Sequence, residues 1–310
     1  MNTNPMPRAD GTNLLVGLLS GVITAVVFGV GCFFLVYNSQ GYMGWTLFLL
    51  VPVATGFATA LVARRRNVLI ASLILGLLFC TAILLLTGFE GFVCVLMSAP
   101  LIAFGLAFGG LFGWLVRVQV IDKLSGSKTL TLLMLLVIPI FLMGANRTEE
   151  AGRGLRTQTV SDTLVVNSSP DSVWNELRSM ENITARKTFL MKIGLPVPVS
   201  CRTEGEGVGG KRTCYFEHGF IEERITEWKF PHSMKFDIVE SDVPGRPWLS
   251  FKDASYEISR VGNHTVITRK TTIVSRLSPA WYWRRLEAIG VHTEHEYLIE
   301  ALEQKLKESK

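Results

Sequence analysis

Charge is almost missing from the first half of this 310-residue chain. Residues 1–146 hold seven basic side chains (Arg8, Arg64, Arg65, Arg66, Arg117, Lys123, Lys128) and three acidic ones (Asp10, Glu90, Asp122), out of 31 and 26 in all. The second half is close to neutral, so most of the net charge of +5 sits in loops of the apolar half. A nucleic-acid-binding protein carries its positive charge on a folded basic face. None is legible here, so no nucleic-acid partner is expected. Catalytic signatures are lacking as well. There is no His-Glu-x-x-His run, no serine elbow and no cysteine–histidine nucleophile pattern. The segment "GEGVGG" at 205–210 lies between two strands and reads as a hairpin turn, not as a phosphate loop ahead of a helix. No catalytic residue, cofactor or metal is expected from these patterns.

What the first half has instead is length without polarity, reflected in a mean hydropathy of +0.33 for the whole chain. Five apolar stretches lie at about 13–37, 44–63, 67–88, 91–116 and 129–145. A helix needs about 20 apolar residues to cross a bilayer. The first four stretches meet this, and the fifth is shorter and contains Pro139. Arg64, Arg65 and Arg66 follow the second stretch, Arg117, Lys123 and Lys128 follow the fourth, and the intervening loops have no Lys or Arg. The positive-inside rule puts the amino terminus and both basic loops in the cytoplasm. Five spans then place the carboxy-terminal domain outside. If the fifth stretch only lies on the surface, that domain is cytoplasmic. Compact spans and short loops suggest a bacterial plasma membrane. No ionisable side chain sits within a span, so the membrane half reads as an anchor. Gly17 with Gly21, and Gly105, Gly109 and Gly113, allow close helix packing, either within the bundle or between copies in a homo-oligomer.

After an expected linker at 147–158, residues 159–310 read as a soluble α+β domain. "TQTVSDTLVVN" alternates like a strand. Ser169, Pro170 and Asp171 open a helix whose Val173, Trp174 and Leu177 share one face. A second short helix is expected over 181–193. Strands follow at about 199–205, 210–217, 220–229, 233–241, 248–259 and 264–276, and a long helix at 279–308. On "SMKFDIV", Met234, Phe236 and Ile238 share a face, and on "FIEERITEW" so do Ile221, Glu223 and Ile225. If that second face is the inner one, Glu223 is a carboxylate among apolar groups, open to pairing with an arginine such as Arg269. In the other register Glu222, Arg224 and Thr226 point inward. His292 and His295, at i and i+3, read as polar side chains on a solvated helix face. Cys32, Cys80 and Cys94 fall in apolar stretches, where cysteine behaves as a small apolar residue. Cys201 and Cys214 flank the glycine turn almost symmetrically, so a disulfide is open to them in an oxidising compartment.

This order of elements resembles the helix-grip fold of the START/Bet v 1-like superfamily, which includes polyketide cyclases and lipid transporters. The residues that carry the resemblance are "SPDSVWNEL" at 169–177, "EGEGVGGKRTCYFEHG" at 204–219, "EERITEW" at 222–228 followed by Pro231, and a terminal helix begun by "SPAWYW". It covers about half of the chain, residues 155–308. It implies a seven-stranded antiparallel sheet curled around the long helix, with an apolar cavity between them. Trp174, Ile221, Glu223, Ile225, Met234, Phe236, Ile238 and Tyr256 are the candidates to line that cavity. The implied function is a membrane-anchored protein that binds an apolar small molecule or lipid. A cyclase-like enzyme with Glu223 as its acid/base group, or a ligand-responsive membrane sensor, are the alternatives. Trp281, Tyr282 and Trp283, with Arg284 and Arg285, either touch lipid headgroups or close one end of the core.

Overall fold

The computed structural model describes residues 11–37, 43–88, 90–123, 128–152, 154–243 and 248–308, without the side chains of 11–13. Arg8 and most of the uncharged loop at 38–43 lie outside the described residues. The chain divides into two compact units, Met1–Arg153 and Gly154–Lys310.

The first unit is helical: α1 (Gly11–Val36), α2 (Val51–Val62), α3 (Arg66–Leu86), α4 (Phe92–Val116) and α5 (Lys128–Ala151). A π-helical turn, Thr46–Leu50, leads into α2, and another, Arg117–Ile121, prolongs α4. Four helices are long and apolar enough to cross a membrane, namely Leu14–Val36, Arg66–Leu86, Phe92–Ile121 and Lys128–Ala151. The short element is therefore the second stretch, not the fifth. Thr46–Val62 measures about 26 Å at 1.5 Å per residue, just under the hydrocarbon thickness. The fifth stretch gains length because its helix continues through the polar residues 146–151. Along α5, Leu132, Leu136 and Ile140 stay exposed, an apolar surface of the kind that meets lipid.

Polar contacts fix both ends of this bundle. Arg117 Nη1 donates to the carbonyls of Leu61 (3.3 Å) and Ala63 (2.7 Å), where α2 ends. At the other end of α2, the amides of Trp45 and Thr46 donate to the Glu149 carboxylate at 2.6 and 3.0 Å. Asn146 Nδ2 donates to the carbonyl of Val36, the last residue of α1 (3.4 Å). A cation at a helix carboxy terminus and an anion at the amino terminus each complement the helix dipole. The loop of Arg64 and Arg65 and the Arg117 segment thus share one end of α2, and α5 finishes at the opposite end. The glycine rows face inward within the chain. A Cβ on Gly109 would lie 2.0 Å from the Val53 carbonyl oxygen, and one on Gly21 would lie 2.2 Å from Ser72 Oγ.

The second unit holds β1 (Arg156–Val166), α6 (Pro170–Arg178), α7 (Phe189–Lys192), β2 (Pro198–Glu204), β3 (Lys211–Phe216), β4 (Phe220–Lys229), β5 (Ser233–Ser241), β6 (Leu249–Val261), β7 (His264–Ser275) and α8 (Ala280–Glu308). The strands form one antiparallel sheet in the order β1-β7-β6-β5-β4-β3-β2. Bulges in the β4–β5 and β6–β7 pairings curl it around α8. Ser169 caps α6, its Oγ accepting from the Ser172 amide at 3.1 Å. The expected linker 147–158 is mostly regular structure, since α5 runs to Ala151 and β1 begins at Arg156. The helix expected over 181–193 shrinks to Phe189–Lys192. Asn182 has φ of 54°, which no α-helix continues through, and the Ile183 amide goes instead to the Val199 carbonyl (2.7 Å). Trp174, Leu177, Ile225, Met234, Phe236, Leu298 and Leu302 belong to one core between the sheet, α6 and α8.

Candidate functional site

Alternation along the strands decides which side chains face α8. On β4, Ile221, Glu223 and Ile225 are buried while Glu222 is half-buried and Arg224 exposed, so Glu223 lies on the inner face. Arg212 sits directly opposite on β3 and is only 2% exposed. Its Nη1 donates to Glu223 Oε2 at 2.6 Å. The partner of Glu223 is therefore Arg212 and not Arg269. A cross-hairpin pair forms first because the register places the two side by side, whereas Arg269 belongs to β7, three strands beyond β4.

Arg269 is the direct register partner of Tyr256 on β6, and the curl of the sheet brings Arg212 to the same ring. The Arg212 guanidinium carbon lies 4.9 Å from the Phe236 ring centre and 5.9 Å from that of Tyr256. Arg269 lies 5.1 Å from the same Tyr256 ring, and its Nη1 donates to the Tyr256 hydroxyl. Its Nη2 donates to both oxygens of Glu294 on α8, at 2.9 and 3.1 Å. Two cations and two anions thus compensate one another around one phenol. Burial opposes the charge on Arg212, yet Glu223 and Tyr256 outweigh it and hold its pKa above the ordinary arginine value. Burial pushes the Glu294 carboxyl above the ordinary carboxylate range, with Arg269 pulling it part of the way back. Arg212 Nε and Arg269 Nε are buried and have no hydrogen-bond partner among the described residues. A buried donor left unpaired costs about 1–3 kcal/mol, so such atoms mark where an acceptor belongs.

A second polar string runs beside the first. His295 is fully buried on the inner face of α8. Its Nδ1 lies 2.6 Å from Asp162 Oδ2 on β1, and its Nε2 lies 2.8 Å from Thr271 Oγ1 on β7. His292, partly exposed, meets both oxygens of the same carboxylate at 2.7 and 2.8 Å. Burial, and then the nearby Arg269 charge, depress His295 to a pKa of about 3 against the pull of Asp162. A neutral imidazole in this place donates through Nδ1 to Asp162 and accepts the Thr271 hydroxyl at Nε2. The Glu294 carboxylate lies 3.9 Å from the same Nε2 and joins the two strings. The solvated face expected for both histidines is thus wrong for His295. Val291, His295, Leu298 and Leu302 follow a four-three-four spacing, which sets the histidine within the apolar stripe.

Of the positions expected to face a cavity, Trp174, Ile221, Glu223, Ile225, Met234, Phe236 and Tyr256 are buried on the inner side, and Ile238 is half-buried. Arg212, Arg269, Glu294, Asp162, His295 and Thr271 were absent from that set. A single carboxylate between isoleucines was visible in the sequence, but its arginine partner lies across a hairpin. At the edge of the sheet, Cys201 and Cys214 are paired in register between β2 and β3 and joined by a disulfide.

No family model and no curated protein sequence matches the chain. Solved structures similar to its carboxy-terminal half include a protein from Arthrobacter aurescens, 18% identical over 48% of this chain and 86% of that one, with a TM-score of 0.35. Norcoclaurine synthase from Thalictrum flavum is 17% identical over 51% and 95%, at 0.34. An aromatase/cyclase from Streptomyces sp. R1128 is 16% identical over 49% and 94%, also at 0.34. Values this low bear on neither ligand nor reaction.

Proposed function

We propose that this chain is a membrane-anchored binding protein whose soluble unit takes an amphipathic small molecule between its sheet and α8. The apolar body of the ligand lies along Trp174, Ile225, Met234 and Phe236, and an oxygen acceptor at its polar end meets Arg212 and Arg269 beside Tyr256. The observation that carries this reading is that the Nε groups of Arg212 and Arg269, on either side of Tyr256, are buried without a partner among the described residues and lie next to the apolar core of Ile225, Met234 and Phe236. A charged quartet contributes little to stability compared with well-packed apolar residues, whereas ligand pockets combine apolar walls with a few placed polar groups. Native mass spectrometry of the full chain, released from detergent, tests it. A small-molecule adduct is expected on the wild-type protein and should be lost from a folded Arg212→Met, Glu223→Met double variant. An adduct that survives in that variant refutes the placement of the site.

The basic loops at one end of α2 and the finish of α5 at the other favour a soluble unit on the extracytoplasmic side, and a disulfide suits that compartment. Lys307→Cys, an exposed position, should then react with a membrane-impermeant thiol reagent in intact cells; reaction only after lysis reverses the orientation. Proton transfer within the site is a second reading, favoured by the Asp162–His295–Thr271 string alongside Glu294. In that case Glu294, not Glu223, is the acid/base group, and Glu294→Gln abolishes turnover while leaving the adduct in place.

A further inference from the structure

The outer surface of the soluble unit has an end that its interior site does not use. Helix α8 opens against the first residues of β1. Gln158 Nε2 donates to the Arg284 carbonyl at 3.1 Å, and Arg156 Nη2 donates to Glu287 Oε1 at 2.7 Å. Because Arg156 is the first residue of β1, the amino-terminal turns of α8 lie at the end of the sheet where the chain comes in. Only residues 152–155 separate Arg156 from Ala151, the last residue of an apolar helix of 24 residues.

The side chains displayed there are of one kind. Trp283 points inward and is buried, but Trp281 is 64% exposed, and Leu155 is 55% exposed. Tyr282 is half-buried, with its ring 5.8 Å from that of Trp281, and Arg284 and Arg285 are exposed on the next turn. Tryptophan and tyrosine favour the headgroup depth of a bilayer, where an apolar ring and a polar edge are both satisfied. Arginine beside them is attracted by anionic lipid, at about fivefold in affinity for each charge. At the other end of the sheet, Val165, Val208, Phe230 and Val261 are exposed one at a time, on separate strands and hairpin turns.

We propose that Leu155, Trp281, Tyr282, Arg284 and Arg285 form a docking surface for the headgroup layer of an anionic bilayer. The surface rests on the reading of the first unit as a membrane anchor. It would hold the amino-terminal end of α8 at the lipid, beside the polar site whose Glu294 and His295 lie further along the same helix.

The test is photo-crosslinking of the full chain in vesicles of phosphatidylcholine, with or without phosphatidylglycerol, using a phospholipid that carries a diazirine near its headgroup. Adducts are mapped by mass spectrometry. Adducts are expected on residues 279–285, several times more abundant with phosphatidylglycerol and reduced by high salt. A combined Trp281→Ser, Arg284→Gln, Arg285→Gln variant should lose most of them, and Val261→Ser none. Adducts on α1, α3, α4 and α5 but none on 279–285 overturn the docking surface and leave the anchor intact. Equal labelling at residues 205–210 and 261–263 overturns it too, as it would show non-specific contact. Labelling of no helix at all removes the anchor and the surface together.

Discussion

Acid should unfold the soluble unit, with His295 as the main group responsible. The imidazole is fully buried and its pKa lies at about 3, while the same side chain in the unfolded chain titrates near the ordinary value of about 6.5. Above about 6.5 neither state binds the proton, and stability does not depend on this group. Below it the unfolded chain takes up a proton that the folded one refuses. Folding therefore weakens by up to tenfold per pH unit until the folded-state pKa is reached near 3. Relative to a pH well above 6.5, that amounts to roughly 30-fold at about pH 5. Glu294 acts in the opposite sense, because its raised pKa means that acid relieves part of the cost of burying its charge. The His295 contribution is isolated by His295→Gln, which can still bond to Asp162 but cannot become charged. The assay is urea unfolding of the full chain in detergent, followed by tryptophan fluorescence, since five of the seven tryptophans lie beyond residue 153. Wild type should lose stability between neutral and acidic pH much faster than His295→Gln. Equal pH slopes in wild type and His295→Gln would refute the reasoning.

Three further outcomes follow from the geometry. The Cys201–Cys214 disulfide closes a loop with a sequence separation of 13, so Cys214→Ser should cost about 3 kcal/mol in the same urea assay, and a reductant should match it on wild type. Arg212→Met alone leaves Glu223 buried and uncompensated, at about 3–5 kcal/mol; adding Glu223→Met should recover most of the loss. In the first unit, Gly109→Ala drives a methyl into the Val53 carbonyl, and overpacking of this kind costs about 1–3 kcal/mol. The variant should show a lower thermal midpoint in detergent, and an unchanged midpoint would contradict the close approach of α2 to α4.

Local pattern made much of this architecture readable, and curvature hid the rest. Period-two alternation located β4 and β5, and a Ser-Pro start located α6 and α8, because those signals depend on neighbours in sequence. The helix expected over 181–193 failed where one residue, Asn182, turns the backbone the wrong way. The second apolar stretch read as 20 residues long because composition does not show that regular helix begins only near Thr46. The polar site was the least legible. Tyr256 and Arg269 are register partners on neighbouring strands β6 and β7, but Arg212 stands on β3 and reaches them only because the sheet bends through bulges that leave little mark on the sequence. His295 was legible in principle, since its neighbours on the stripe are Val291, Leu298 and Leu302, but a second histidine at 292 drew the pair toward the solvent.

The pairing of β1 with β7 governs the order in which this protein can be completed. Arg156 meets Ser275 across 119 residues of chain, so the strand synthesised first waits for the one synthesised last. Strands β2 to β6 can zip together in sequence as they emerge, each beside its predecessor. Asp162 must wait for Thr271 and for His295, and Arg269 must wait for Glu294. A ribosome that stalls just short of α8 releases a chain that holds every strand but lacks Glu294 and His295, so its interior polar site is left half built.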